Sequence, residues 1–253
     1  MGKDQLDINK QYKFYLKRRN LFLFFIISVL IVIVGSYITL QAIGTDEDLL
    51  LSLLFLVLLI ILVLVSWYRQ RFNYYIMQLE YYRMLNDQLG LIQLKKPIFT
   101  QSFIDQFIQD GFVEGSTHPD FVLFYQFYPK IKSLVNSGQV LVCIVLAKKD
   151  NFDFYDEKLD QAIQSLYLNY KDEKKVKKQI VLQFKKFDIY NKENQDEINK
   201  IINFKAANNY LIHITIGYFY KQNQIYYLRP KKRYPNKYYY YAVELIKKYT
   251  GLM

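Results

Sequence analysis

Two uncharged apolar runs, residues 21–43 and 49–67, constrain this chain more than anything else in it. A helix rises about 1.5 Å per residue, and about twenty apolar residues cross the hydrocarbon core of a bilayer. Both runs are long enough. Inside lipid every backbone polar group must be paired locally, so each run is expected to be a helix. The expectation is an N-terminal two-helix transmembrane hairpin, with helices over 21–43 and 49–67 and a short outside loop over 44–48. Buried core helices of a soluble protein rarely reach this length without a charge. A cleaved signal peptide fits poorly as well. The first run is too long for its apolar region, and a second run follows at once.

Charge sets the expected orientation. Lys3, Lys10, Lys13, Lys17, Arg18 and Arg19 precede the first run, and Arg69 and Arg71 follow the second. The connection holds Asp46, Glu47 and Asp48 and no Lys or Arg. The positive-inside rule then places both termini in the cytoplasm, with a cell membrane as the location. Neither run carries an internal ionisable group, so neither reads as an ion path.

Outside the hairpin the chain is basic. The formal charge is +11 over 253 residues. Residues 1–20 form a short basic tail, read as an interfacial helix or a frayed end. A basic part tethered to a bilayer faces an anionic leaflet, so lipid headgroups are the first expected partner and nucleic acid the second. One cysteine, Cys143, stands in an apolar strand-like run and reads as buried. With His118 and His213 it is too isolated for a zinc site. No metal and no cofactor is implied.

Residues 68–96 read as an amphipathic juxtamembrane helix. Tyr68, Phe72, Tyr75, Leu79 and Tyr82 follow a 4-3 spacing. The stripe is expected to dock on the following domain or to pair with a second copy. Lys95, Lys96 and Pro97 mark the expected boundary of a cytoplasmic domain over 97–253. Along that domain, apolar runs and helical stripes alternate in the order α-β-β-α-β-α-β-β-α. This predicts a mixed α/β (α+β) fold with about five strands and four helices. Strands are expected over 121–128, 139–147, 179–187, 210–220 and 224–228. A turn is expected at Asn136, Ser137 and Gly138, a charged loop over 171–178, and a helix over 193–204.

Two constellations are candidates for chemistry. Arg229, Lys231, Lys232, Arg233 and Lys237 cluster among tyrosines and suit a phosphate or an anionic lipid headgroup. Pro119 and Asp120 open one predicted strand, and Lys148 ends the next. Over residues 100–187 the element order and these residues resemble the restriction-endonuclease-like core, whose members use a PD…(D/E)xK motif. The resemblance implies Asp120 as a catalytic acid, Lys148 as the catalytic lysine, and nucleic acid as substrate. The sequence departs from the motif at Leu146, where an acid or glutamine should stand, so one ligand for an activating metal is missing.

The sequence therefore leads to a non-enzymatic, membrane-tethered binding module. Its expected partners are a protein, a second copy through residues 68–89, or anionic lipid. The alternative is a membrane-anchored enzyme for a phosphate-containing substrate. A channel subunit would require oligomerisation, because two charge-free helices cannot line a polar path alone.

Overall fold

A computed structural model describes residues 3–44, 46–131, 134, 138–149, 152–170, 176–206 and 209–252. The chain divides into two compact units, Met1–Asn86 and Asp87–Met253.

The first unit is a pair of antiparallel helices, α1 (Lys3–Ala42) and α2 (Glu47–Asn86), each of 40 residues. Each extends well past its apolar run at one end, α1 ahead of Leu21 and α2 beyond Trp67. No proline interrupts either helix, and no glycine does except Gly35 within α1. At about 1.5 Å per residue each helix is about 60 Å long, twice the hydrocarbon thickness. The expected tail and the juxtamembrane helix are thus continuations of the two long helices. The stripe on α2 finds a partner that the sequence reading did not offer, the amino-terminal half of α1. Tyr15 stacks on Tyr82 with ring centroids 5.6 Å apart. Phe22 stacks on Phe72 at 4.8 Å and meets Tyr68 at 5.7 Å. Burial among these rings, with Tyr74 beside it, pushes the Tyr15 phenol up to about 12. At the other end, Gly44 turns the chain with a φ of 77°. Glu47 and Asp48 then sit in the first turn of α2, where the helix dipole favours negative charge.

The second unit is a mixed sheet with helices on both faces. Its elements are β1 (Ile92–Gln93), α3 (Gln101–Gln109), β2 (Val113–Thr117), β3 (Phe121–Tyr128), β4 (Gln139–Ala147), α4 (Glu157–Leu168), β5 (Val176–Phe187), α5 (Lys192–Ile198), β6 (Ile201–Ala206), β7 (Asn209–Phe219), β8 (Gln224–Tyr226) and α6 (Lys237–Thr250). The sheet order is β1-β8-β7-β5-β4-β3-β2, and β6 pairs with β7. Strands β2, β3 and β4 form an antiparallel meander, and β4, β5 and β7 run parallel. The edge of β7 is shared. Its amino half takes β6, and its last residues take β8.

Helix α4 covers one face, packing Leu159 and Ile163 with Leu123, Cys143, Val145 and Val181. The opposite face holds aromatic rings. Phe103 meets Phe184 at 5.4 Å, Phe107 meets Phe124 at 5.5 Å, and Tyr249 of α6 meets Phe107 at 4.8 Å. A strand covered on both faces has no wet side, which explains the unbroken apolar run of β4. Burial there pushes the Cys143 thiol up.

Among the described residues eight strands and six helices form, α1 and α2 among the six, where about five strands and four helices were expected for the domain after the hairpin. The additions have physical causes. Ile198, Ile201 and Ile202 fit a helical spacing, yet α5 ends at Ile198 and the next two isoleucines open β6. Strand β2 forms where no strand was expected and pairs with β3 around a bulge between Glu114 and Ser116. Residues 87–94 belong to the second unit. Leu89 N–H donates to the Arg229 carbonyl, and Ile92 pairs with Ile225. The division therefore falls ahead of the Lys95–Pro97 break expected from sequence. Asn136 and Ser137 of the expected turn, and Lys171 to Lys175 of the charged loop, lie outside the described residues.

Candidate functional site

Asp120 and Lys148 meet at one edge of the sheet. Phe121 opposes Ala147 in the β3–β4 register, so the residues flanking that pair are neighbours. Lys148 N–H donates to the Asp120 carbonyl at 2.8 Å. Their side chains diverge. The Lys148 ammonium donates to the His118 carbonyl at 3.1 Å. The Asp120 carboxylate is held instead by Lys149 and by Lys158 of α4, the latter at 3.2 Å. The hydrogen bond from Lys149, with Lys158 adding to it, holds this carboxyl below its usual range against the opposing effect of burial. Asp120 N–H donates to His118 Nδ1 at 3.2 Å. Leu146 is buried two residues before Lys148. Among the described residues no group of three or more His, Cys, Asp or Glu is placed to hold a metal ion. The corner is a carboxylate neutralised by two lysines, and it ties the start of β3 to α4.

The basic loop is better exposed. Lys231, Lys232, Arg233 and Lys237 all face solvent, and Arg229 is half-buried. Arg229 Cζ lies 5.6 Å from the Tyr227 ring centroid, and its buried Nε has no hydrogen-bond partner. Lys237 Nζ lies 5.4 Å from the Tyr238 centroid at the start of α6. The loop backbone is pinned to the first residues of the unit. Lys231 N–H donates to the Asp87 carbonyl at 2.8 Å, and Lys232 N–H to the Asp87 carboxylate at 2.9 Å. The surrounding tyrosines, however, are mostly core. Tyr226, Tyr227, Tyr238 and Tyr239 are all buried, and Tyr239 donates its hydroxyl proton to the Leu228 carbonyl at 2.6 Å. Tyr240 is exposed and packs edge-on against Tyr234. The surface is therefore charged far more than it is aromatic, which suits phosphate contact over base stacking.

A third constellation escaped the sequence reading. Gln183 and Lys185 on β5, with His213 and Thr215 on β7, are buried side by side on the α4 face. His213 Nε2 and Gln183 Oε1 share a hydrogen bond of 2.8 Å. Lys185 Nζ donates to the Phe152 carbonyl at 2.8 Å and closes an ion pair with Glu197 of α5. The Phe154 ring covers His213 at 4.4 Å. Burial pushes the His213 imidazole down to about 4. These polar groups clamp the β4–α4 connection onto the sheet. Gln183 and Lys185 stand at alternate positions of an otherwise apolar strand, and that was the available signal. His213 has the satisfied hydrogen bond expected of a strand histidine.

No protein-family model matches this chain, and no curated protein or solved structure matches it.

Proposed function

We propose that this chain is an integral membrane protein that crosses the bilayer twice, with both termini on the cytoplasmic side. Its second unit is a binding module that presents an anion-contacting loop over residues 229–237. One observation carries the reading. Among the described residues of the two apolar runs, only Leu50 is buried. Ile31, Leu51 and Leu62 are each 66% exposed. Core helices of a soluble protein hide such residues, and an outward apolar surface of this extent requires an apolar solvent. Thr39 and Ser52 donate their hydroxyl protons to Gly35 and Asp48 carbonyls one turn back, each at 2.8 Å, so these polar groups are satisfied without water.

Beyond Trp67, α2 continues for 19 residues to Asn86, a rise of about 28 Å. With the first part of α1 it forms a stalk sealed by the Tyr15–Tyr82 and Phe22–Phe72 stacks. In sequence the binding unit follows from Asp87. Anionic headgroups are the partner we assign to the basic loop, because exposed lysines and arginines among mostly buried tyrosines read phosphate charge.

The test is vesicle binding by purified 87–253. Binding to vesicles containing anionic lipid is expected, and it should weaken as salt shortens the screening length. Replacing Arg229, Lys231, Lys232 and Arg233 together by Gln should reduce it on the order of a thousandfold, since each basic residue near an anionic surface is worth roughly 1 kcal/mol. Equal binding to neutral vesicles, or none to either, contradicts the lipid assignment.

A second reading, an enzyme for a phosphate-containing substrate, is favoured by the order α3-β2-β3-β4-α4-β5 and the adjacency of Asp120 and Lys148. Cleavage of DNA or RNA by the full chain with Mg²⁺, lost in Asp120→Asn, would replace the first reading.

A further inference from the structure

Only two non-glycine residues among those described have left-handed backbone, Phe99 with φ 64° and Asn223 with φ 51°. Both hold the same segment, residues 94–100. At one end, Leu94 N–H donates to the Asn223 carbonyl at 2.9 Å, and Asn223 Nδ2 donates to the Leu94 carbonyl at 3.0 Å. At the other end, the Phe99 ring stacks on Tyr218 at 6.1 Å. Tyr218 donates its hydroxyl proton to Asn223 Oδ1 at 3.1 Å, which joins the two clamps. Asparagine tolerates this conformation, but a bulky aromatic residue adopts it only when its surroundings enforce it. Backbone strain of this kind concentrates at ligand clamps and other functional segments.

The clamped segment is one wall of a cavity of about 220 Å³. Helix α3 and the carboxyl end of α6 form the others. A single water needs roughly 10–15 Å³ of such space, so the cavity has room for a small organic molecule. Its lining divides by chemistry. Phe103, Ile98 and Tyr249 are buried and apolar. Lys95 and Lys96 supply two positive charges from the clamped wall, and Ser102 supplies a hydroxyl from the first turn of α3. No acidic residue lines the cavity among the described residues. Tyr249 gives its hydroxyl proton to Asp110 at 2.8 Å, so this ring is fixed and that carboxylate is occupied. An apolar body with a few convergent polar groups is the usual make-up of a small-molecule site. Two lysines match a dianion better than a monoanion.

We propose that this cavity binds a small, soluble organic phosphate monoester. Its phosphate sits between Lys95 and Lys96, and its apolar body rests on Phe103, Ile98 and Tyr249. The site is separate from the 229–237 loop and does not depend on the lipid assignment.

The test uses the full chain in detergent, titrated calorimetrically at pH 7.5 with phenyl phosphate, benzoate, phenol and inorganic phosphate. Saturable one-to-one binding of phenyl phosphate is expected, with inorganic phosphate about tenfold weaker for want of an apolar body. Benzoate is expected about fivefold weaker, since it carries one charge fewer. Phenol should give no saturable heat. Lys95→Gln with Lys96→Gln should weaken phenyl phosphate at least tenfold. These lysines are exposed, so that variant does not endanger the fold. Ser102→Trp, which fills the space, should abolish binding. Nanodiscs containing phosphatidate should leave the affinity for phenyl phosphate equal to that in phosphatidylcholine discs. Weaker affinity in phosphatidate discs assigns the site to a lipid headgroup and overturns the soluble ligand. Absence of saturable binding, phenol binding as tightly as phenyl phosphate, or full affinity in the lysine variant overturns the site itself.

Discussion

Leucine, isoleucine and valine behave in opposite ways in the two units of this chain. In β4 and β5 they are enclosed. Leu141, Val145 and Leu182 expose nothing. In α1 and α2 the same residue types point outward, with Leu62 at 66% exposure. An exposed apolar surface of that extent marks a membrane or partner contact, whereas a closed core suits water. Burial of apolar area drives the sheet to close on itself because water surrounds it. The helix pair lacks that closure, and on our proposal lipid takes the place of water around its outward residues. The contrast recurs within each long helix. The aromatic stacks of Tyr15 with Tyr82 and Phe22 with Phe72 close the helix pair outside or at the margin of the apolar runs.

The sharpest break comes from placing a charge on each side of this contrast. Val145→Asp buries an unpaired carboxylate between sheet and α4, and should cost about 5 kcal/mol or more, enough to leave 87–253 unfolded by circular dichroism. Near-native melting of that variant would mean that the sheet core is not closed. Leu58→Arg sits at a position that is about half exposed. On a water-facing surface this change is worth less than about 0.5 kcal/mol. At the middle of a spanning helix it costs about 3 kcal/mol, read as a fall in the fraction of chain that resists carbonate extraction. An unchanged fraction places that helix in water.

Acid sharpens the account of the sheet unit. The His213 imidazole titrates near 4 in the folded state, below its ordinary value of 6.5. Between those limits the unfolded chain binds a proton that the folded chain refuses. Stability of 87–253 should therefore fall as pH drops from about 6.5 toward 4, by on the order of 3 kcal/mol in urea titrations. The loss should level off below 4. Asp120, whose carboxyl is held low by Lys149 and Lys158, acts only at more acid pH. His213→Leu should flatten the slope above pH 4.5, and an unchanged slope would assign it elsewhere. The smallest effect belongs to the stalk. Tyr82→Ala removes one stacked ring and should lower the melting free energy of the helix pair by about 1 kcal/mol. A loss several times larger would mean that Tyr82 does more than seal α1 against α2.

How much of this was legible follows the same contrast. Strands β3 and β4 matched their expected limits residue for residue, because long apolar runs bounded by polar turns have one reading. The continuation of α2 beyond Trp67 was legible as a helical stripe, but the partner of that stripe was not. Nothing in Tyr68, Phe72 and Tyr82 names α1 as their partner, since the pairing joins residues 46 to 67 positions apart. Strand β6 was lost to a helical spacing of isoleucines. Strand β1 is two residues long and pairs with Ile225 and Gln224, far along the chain. The charge cluster at 229–237 was plain, but the burial of its tyrosines was not. Seeing Gln183 beside His213 requires the β5–β7 register, which no local pattern encodes.

The central claim is that residues 21–67 cross a bilayer twice and leave the rest of the chain on one side. Single cysteines test it most directly, in a Cys143→Ala background. Glu47→Cys, Lys10→Cys and Lys232→Cys are placed in turn in intact cells and treated with a membrane-impermeant maleimide. The account requires labelling at position 47 from outside, and labelling at 10 and 232 only after the cells are opened. Outside labelling at 10 or 232, or none at 47 until lysis, contradicts it.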